Sequence, residues 1–216
     1  MLRIRVAGFL VLVALAASCD TEPESVPTAA SKNPCAVDEG SGGEKLLQAV
    51  LRSERFKSQY ATTEQLAQRL GQDLRKMKPG SSSGVRQMCH YLPDPPQEVR
   101  RLTIELDWTS PGLADRSGVP PEDYTHYTVN GVHAETTDII AKFRVVCRLP
   151  GDLAEPSRRA QLRFTLGNTV NMGSEDPEAQ KRHVAFLYLM AQRATEALGC
   201  ENKPLQGAPV VKPGKG

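Results

Sequence analysis

Three stretches of this chain alternate apolar and polar residues with period two, and that period restricts the fold class more than any other feature. In residues 101–108, Leu102, Ile104, Leu106 and Trp108 point one way, while Thr103, Glu105 and Asp107 point the other. Ile139, Ala141, Phe143, Val145 and Cys147 repeat the pattern against Lys142 and Arg144, and Ala160, Leu162, Phe164 and Leu166 do so against Gln161, Arg163 and Thr165. Strands with one apolar and one polar face belong to an antiparallel sheet that is solvated on one side. Asn130-Gly131, set between residues 127–129 and 132–134, predicts a two-residue hairpin, because both turn positions need positive φ. A weaker strand is expected over residues 85–92.

Helices are expected before and after these strands. Leu46, Leu47, Val50 and Leu51 share one helical face. Thr62 with Gln65 three positions on has capping-box spacing, and Leu66, Leu70, Leu74 and Met77 follow at helical intervals until Lys78-Pro79-Gly80. A last helix starts at Asp176-Pro177, an N-cap followed by a first-turn proline, and ends before Gly199. Its inward stripe is Val184, Leu187, Ala191, Ala194 and Leu198, widened by Phe186 and Met190, a breadth that needs a sheet to cover it. The expected fold class is α+β: a mostly antiparallel sheet of four to six strands with helices packed on one face, stapled by disulfides.

The N-terminus has the layout of a cleaved export peptide. Arg3 and Arg5 precede an apolar run, too short to span a membrane, that ends in Leu15-Ala16-Ala17-Ser18-Cys19. The last four of these residues resemble the lipobox of bacterial lipoproteins, a likeness that covers only this segment. It implies that Cys19 receives a diacylglyceryl group and becomes the mature N-terminus. The rival is cleavage after Ala14-Leu15-Ala16, which leaves Cys19 as a free thiol. Five cysteines favour acylation, because removing Cys19 leaves Cys35, Cys89, Cys147 and Cys200, an even set for two disulfides in an oxidising compartment. These four lack C-x-x-C and zinc-ligand spacing. Cys35 opens the folded region and Cys200 closes it, while Cys89 and Cys147 fall in expected strands, so we expect Cys35 to pair with Cys200 and Cys89 with Cys147.

Four segments follow: a signal peptide over 1–18, an acylated cysteine with a flexible tether over 19–34, one α+β domain over 35–200, and a disordered tail over 201–216. The tether is polar and proline-rich and would hold the domain about 20 Å from the lipid if flexible. Without Arg3 and Arg5 the chain carries 25 basic and 25 acidic residues, with no basic stripe, so nucleic acid is not an expected partner. The lipobox, the tether, Asn33-Pro34-Cys35 and the paired cysteines together are similar to the organisation of small actinobacterial surface lipoproteins, a likeness that transfers no catalytic residue.

Candidate sites are sparse. Glu105 and Asp107 share a strand face and could act as an acid and base pair or hold a cation, but surface pairing with Lys142 and Arg144 on another strand is the better reading. His133-Ala134-Glu135 has the H-x-E of zinc deaminases without their P-C-x-x-C. No metalloprotease, serine-hydrolase or phosphate-loop motif occurs, so no metal or cofactor is expected. Residues 109–123 form a long Pro/Gly-rich connection, and Tyr124, His126, Tyr127 and His133 beside it could supply stacking and hydrogen bonds to a ligand, although a mobile connector beside an ordinary tyrosine-bearing strand is the preferred reading. An aromatic content of 5% argues mildly against a carbohydrate-stacking surface. Two function classes remain: a lipid-anchored, non-catalytic binding or structural module for an envelope component or partner protein, and an envelope hydrolase using some of His90, His126, His133, Glu105 and Asp107.

Overall fold

The alternating stretches become neighbours in one open sheet. In the computed structural model, which describes residues 33–96, 100–114, 118–169 and 176–215, the first half of the chain forms α1 (Gly42–Leu51), β1 (Phe56–Tyr60), α2 (Thr63–Lys76), β2 (Arg86–Pro93) and β3 (Leu102–Thr109). The second half forms β4 (Thr125–Val129), β5 (Val132–Thr136), β6 (Ile140–Val145), α3 (Ala154–Arg158), β7 (Gln161–Asn168), α4 (Pro177–Ala197) and β8 (Val211–Pro213). Cys19, the signal segment and the tether up to residue 32 lie outside the described residues. The sheet order is β1-β2-β3-β7-β6-β5-β4-β8, with every pairing antiparallel. The α and β content is as expected, but the sheet has eight strands rather than four to six. Both strands the sequence pattern missed, β1 and β8, are edge strands. An edge strand has one ladder partner and largely solvated side chains, so neither alternation nor an apolar run marks it.

The chain builds two meanders and joins them at the centre. β1, β2 and β3 follow one another, and the chain then crosses to β4 and returns through β5 and β6 to lay β7 against β3. From β3 to β4 it must pass four strand spacings, about 19 Å. That distance accounts for the long connection after Thr109, which serves as a crossover as much as a loop.

The inner face is apolar and buried. Leu102, Ile104, Leu106 and Trp108 of β3 and Leu162, Phe164 and Leu166 of β7 are buried. Both α2 and α4 lie over this face. Trp108 donates from Nε1 to the Leu70 carbonyl of α2 at 3.0 Å, Tyr91 meets Phe186 of α4 edge-on at 5.7 Å, and Phe143 packs near Tyr188. The helix starts follow the sequence signals: Thr62 and Gln65 form a reciprocal capping box, and Asp176 caps α4 with Pro177 in its first turn.

The disulfides join Cys35 to Cys89 and Cys147 to Cys200, which corrects the expected pairing. Position along the chain misled, because Cys35 docks against β2 and Cys200 beyond β6, on different parts of the sheet. The segment before α1 docks on β2, where the Tyr91 hydroxyl donates to the Cys35 carbonyl at 2.7 Å. The segment after α4 docks beyond β6, where Glu201 N–H donates to the Arg148 carbonyl and Asn202 bridges Arg148 and Val146. Each bridge closes a loop of just over fifty residues and contributes about 4 kcal/mol in the chain-entropy model.

The tail is also different from the expectation: residues 201–215 are ordered against the sheet. Asn130, in the left-handed region at φ 48° beside Gly131 at φ 83°, turns the β4–β5 hairpin and uses its amide to clasp the tail. Its Nδ2 donates to the carbonyls of Gln206 and Ala208 at 3.0 Å each, and its Oδ1 accepts from Val210 N–H at 2.8 Å. Tyr188 adds a donor to the Gln206 carbonyl at 2.8 Å, and Leu205 is buried. The chain then pairs with β4 as β8.

One buried titratable group gives this fold a pH dependence. His183 of α4 has no exposed surface, and its Nε2 lies 2.8 Å from Nδ2 of Asn168 at the end of β7, so the amide donates to a neutral ring. Burial, with the nearby charges of Arg182 and Arg52, lowers the His183 pKa to about 4, against a smaller opposing effect of Asp176. An unfolded histidine titrates near 6.5. Between these values the unfolded state binds the extra proton, so stability falls as pH drops from about 6.5 to 4 and the contribution then levels off. Denaturant unfolding across this range should show about 3 kcal/mol more loss in the wild type than in His183→Gln. Parallel curves for the two proteins would show that His183 is not the titrating group.

Candidate functional site

The hairpin register decides which polar side chains meet on the open face. The Asn130-Gly131 turn sets His126 opposite Glu135 and Thr128 opposite His133. His133 and Glu135 lie two residues apart on β5 and so share a face, and His126 joins them from β4. The two imidazoles stack with centroids 5.3 Å apart and planes 22° apart. His133 Nε2 lies 3.8 Å from Glu135 Oε1, and one donor atom from each of the three residues falls within 4.8 Å of the other two. His126 Nδ1 is buried and has no hydrogen-bond partner among the described residues.

β6 supplies the other half of the cluster. Glu135 pairs in register with Lys142, whose Nζ donates to Glu135 Oε2 at 3.0 Å. The same ammonium sits 3.6 Å from the centre of the Tyr124 ring, a cation–π contact that covers the amine, and the Lys142 side chain is only 7% exposed. Glu135 is thus held through one oxygen while the other faces His133. Beside this cluster lies a depression of about 150 Å³ lined by His133, Glu135, Lys142, Phe143, Arg144 and Arg163.

The structure therefore brings together Tyr124, His126 and His133 of the four binding candidates and separates Tyr127. Tyr127 is adjacent to His126 on a strand and must face the other way. It is buried against α4, with its hydroxyl 3.4 Å from both the Pro177 carbonyl and Gln180 Oε1. Glu135, set aside in the sequence as an incomplete deaminase motif, and Lys142, assigned there to Glu105 and Asp107, are site residues outside the four binding candidates. The signal for Glu135 was present in His133-x-Glu135, since an i, i+2 pair on a strand shares a face, but the third donor comes from the neighbouring strand and has no sequence spacing to recognise.

Of the hydrolase candidates, His126 and His133 meet on β4 and β5, while His90 lies on β2 and Glu105 and Asp107 on β3. His90 lies on β2 and pairs in register with Thr103 and Gln59, four strands or about 19 Å from β5. Burial, then the charge of Arg101, lowers its pKa. Asp107 is bound bidentately by Arg163, with Nε to Oδ1 and Nη2 to Oδ2 both 2.9 Å. Its partner is on β7, the true neighbour of β3, and not Lys142 or Arg144 of β6 as the sequence reading supposed. Asp107 is 2% exposed, so the pair is a structural clasp across the central seam.

No family model, no curated protein and no solved structure matches this chain. Among the described residues no helix is long and apolar enough to cross a membrane. The two disulfides fit an oxidising, extracytoplasmic compartment.

The Asp107–Arg163 clasp is testable by removing one partner. Asp107→Ala leaves a largely buried guanidinium without its bidentate carboxylate and should cost about 3 kcal/mol, read from the denaturant midpoint at constant slope. Glu105→Ala, half-exposed on the same strand face, should change stability by less than about 0.5 kcal/mol. Equal losses for the two would remove the assigned role of Asp107.

Proposed function

We propose that this chain is a membrane-tethered extracytoplasmic binding module, acylated at Cys19, that presents the open face of its sheet to an envelope component or partner protein. The observation that carries the reading is the asymmetry of the sheet. One face is covered by α2 and α4, whereas on the other His126, His133, Glu135, Lys142 and Tyr124 converge beside a solvent-open depression. Rigid strands hold these groups, which suits recognition. The tether of residues 19–34 supports a position near the lipid surface, and two acyl chains hold such a protein firmly where one would not. The hydrolase reading loses support because His90 on β2 and Glu105 on β3 are separated from the histidine pair on β4 and β5 by the intervening strands β7 and β6.

Intact mass of the protein extracted from its native membrane tests the anchor. The expected species begins at Cys19, carries acyl groups and gains four hydrogens on reduction; an unmodified chain beginning at Ala17 overturns the anchoring. A photo-cross-linking residue at position 144, on the rim of the depression, should capture an envelope component that the same probe at position 57 on β1 does not. Equal capture, or none, at both positions overturns the assignment of the binding face.

A further inference from the structure

We infer that His126, His133 and Glu135 form a binding site for a divalent transition-metal ion of the zinc, nickel or cobalt type. This inference rests on the reading of the open face as the binding surface and names a ligand for it. Two imidazoles and one carboxylate make a familiar three-donor set, and three protein ligands leave a further position for water or for a donor atom of a bound molecule. The backbone fixes the arrangement: two donors come from alternate positions of β5 and the third from the residue paired with Glu135 on β4. Donor atoms within 4.8 Å of one another need only rotamer adjustments to converge on one ion.

Two observations beyond the clustering point to a ligand. His126 Nδ1 is buried with no hydrogen-bond partner among the described residues, a costly state for a polar atom unless something else occupies its lone pair or proton. Glu135 is oriented as ligating carboxylates usually are, with one oxygen fixed by a neighbour and the other turned to the site. Lys142 Nζ holds Oε2 at 3.0 Å, and Oε1 faces His133. Lys142 in turn is seated under the Tyr124 ring.

The same surroundings select the class of ion. Calcium takes six to eight oxygen donors and magnesium holds several waters with carboxylates, whereas this cluster offers one carboxylate with an ammonium beside it. Imidazole suits zinc, nickel and cobalt, and binding through neutral rings depends less on the local negative charge that Lys142 and the adjacent Arg144 reduce.

The test uses the full mature protein with both disulfides intact and Co2+ as the probe, followed through its visible d–d absorption and by calorimetry, with Zn2+ as competitor. One Co2+ per chain should bind, Zn2+ should displace it, and Ca2+ and Mg2+ in excess should not. His133→Ala and His126→Ala should each weaken binding at least 10-fold, and the double variant should abolish the absorption. Glu135→Gln should shift the spectrum and weaken binding, while His90→Ala, with its histidine four strands away, should bind as the wild type does. His133 is more than half exposed, so its variant is expected to fold, and an unchanged thermal midpoint verifies this. Absence of Co2+ binding, or binding that survives the double variant, overturns the metal site. Either result leaves the cross-linking outcome at position 144 to decide the binding face on its own.

Discussion

Everything in this molecule depends on the antiparallel seam between β3 and β7. Its register runs from Leu102 opposite Asn168 to Thr109 opposite Gln161, eight consecutive pairs. Each strand belongs to a different meander, so without this seam the chain would hold two small sheets, each with an open edge and half a core. The seam has two chemically different sides. On the inner one, Leu102, Ile104, Leu106 and Trp108 face Asn168, Leu166, Phe164 and Leu162 and lie under the helices. On the outer one, Asp107 and Arg163 meet in a bidentate pair with little access to water. The apolar side favours association without choosing a register, while the charged pair is satisfied in one register only, since a slip of one residue would turn one strand over and send Asp107 and Arg163 to opposite faces of the sheet.

The same distinction between local and distant determinants explains what could be read in the sequence. The central strands, the Asn130-Gly131 hairpin and the caps of α2 and α4 were legible because each is set within a few residues by alternation, positive φ or a side-chain cap. The disulfide partners were not legible, because they depend on where the ends of the domain dock. Tyr91 holds the Cys35 carbonyl, and Arg148 holds Glu201, the residue after Cys200. The sequence pattern offers Asp107 partners on β6, since nothing in the sequence shows that β7 inserts between β3 and β6.

The site was half legible for a related reason. Tyr124, His126 and His133 stand out as polar and aromatic residues near a long connection, a criterion that includes Tyr127 although strand alternation places it on the face opposite His126. Glu135 and Lys142 became part of the site only through the cross-strand pairs His126 to Glu135 and Glu135 to Lys142. Those pairs also show how the open face tolerates such polarity. Glu135 lies between an ammonium and two imidazoles, and the ammonium lies between a carboxylate and an aromatic ring, so each group is oriented by its neighbours before any ligand arrives.

The tail completes this preorganisation, and it does so through the composition that suggests disorder. β4 carries His126 and would be an edge strand if the chain stopped at Cys200. With β8 beside it, β4 has ladder partners on both sides and its backbone is fixed. The approach is close enough that a Cβ at Gly214 would come within 2.9 to 3.0 Å of the Tyr127 backbone, so a side chain there would force the strands apart. Gly207, at φ 74°, turns the chain between Gln206 and Ala208, the two residues whose carbonyls Asn130 clasps. Glycines that remove every helical or alternating signal from residues 201–216 are thus the residues that let this segment lie flat on β4. Asn130 links the two effects, since one side chain sits in the hairpin that aligns His126 with Glu135 and also holds the strand that rigidifies it.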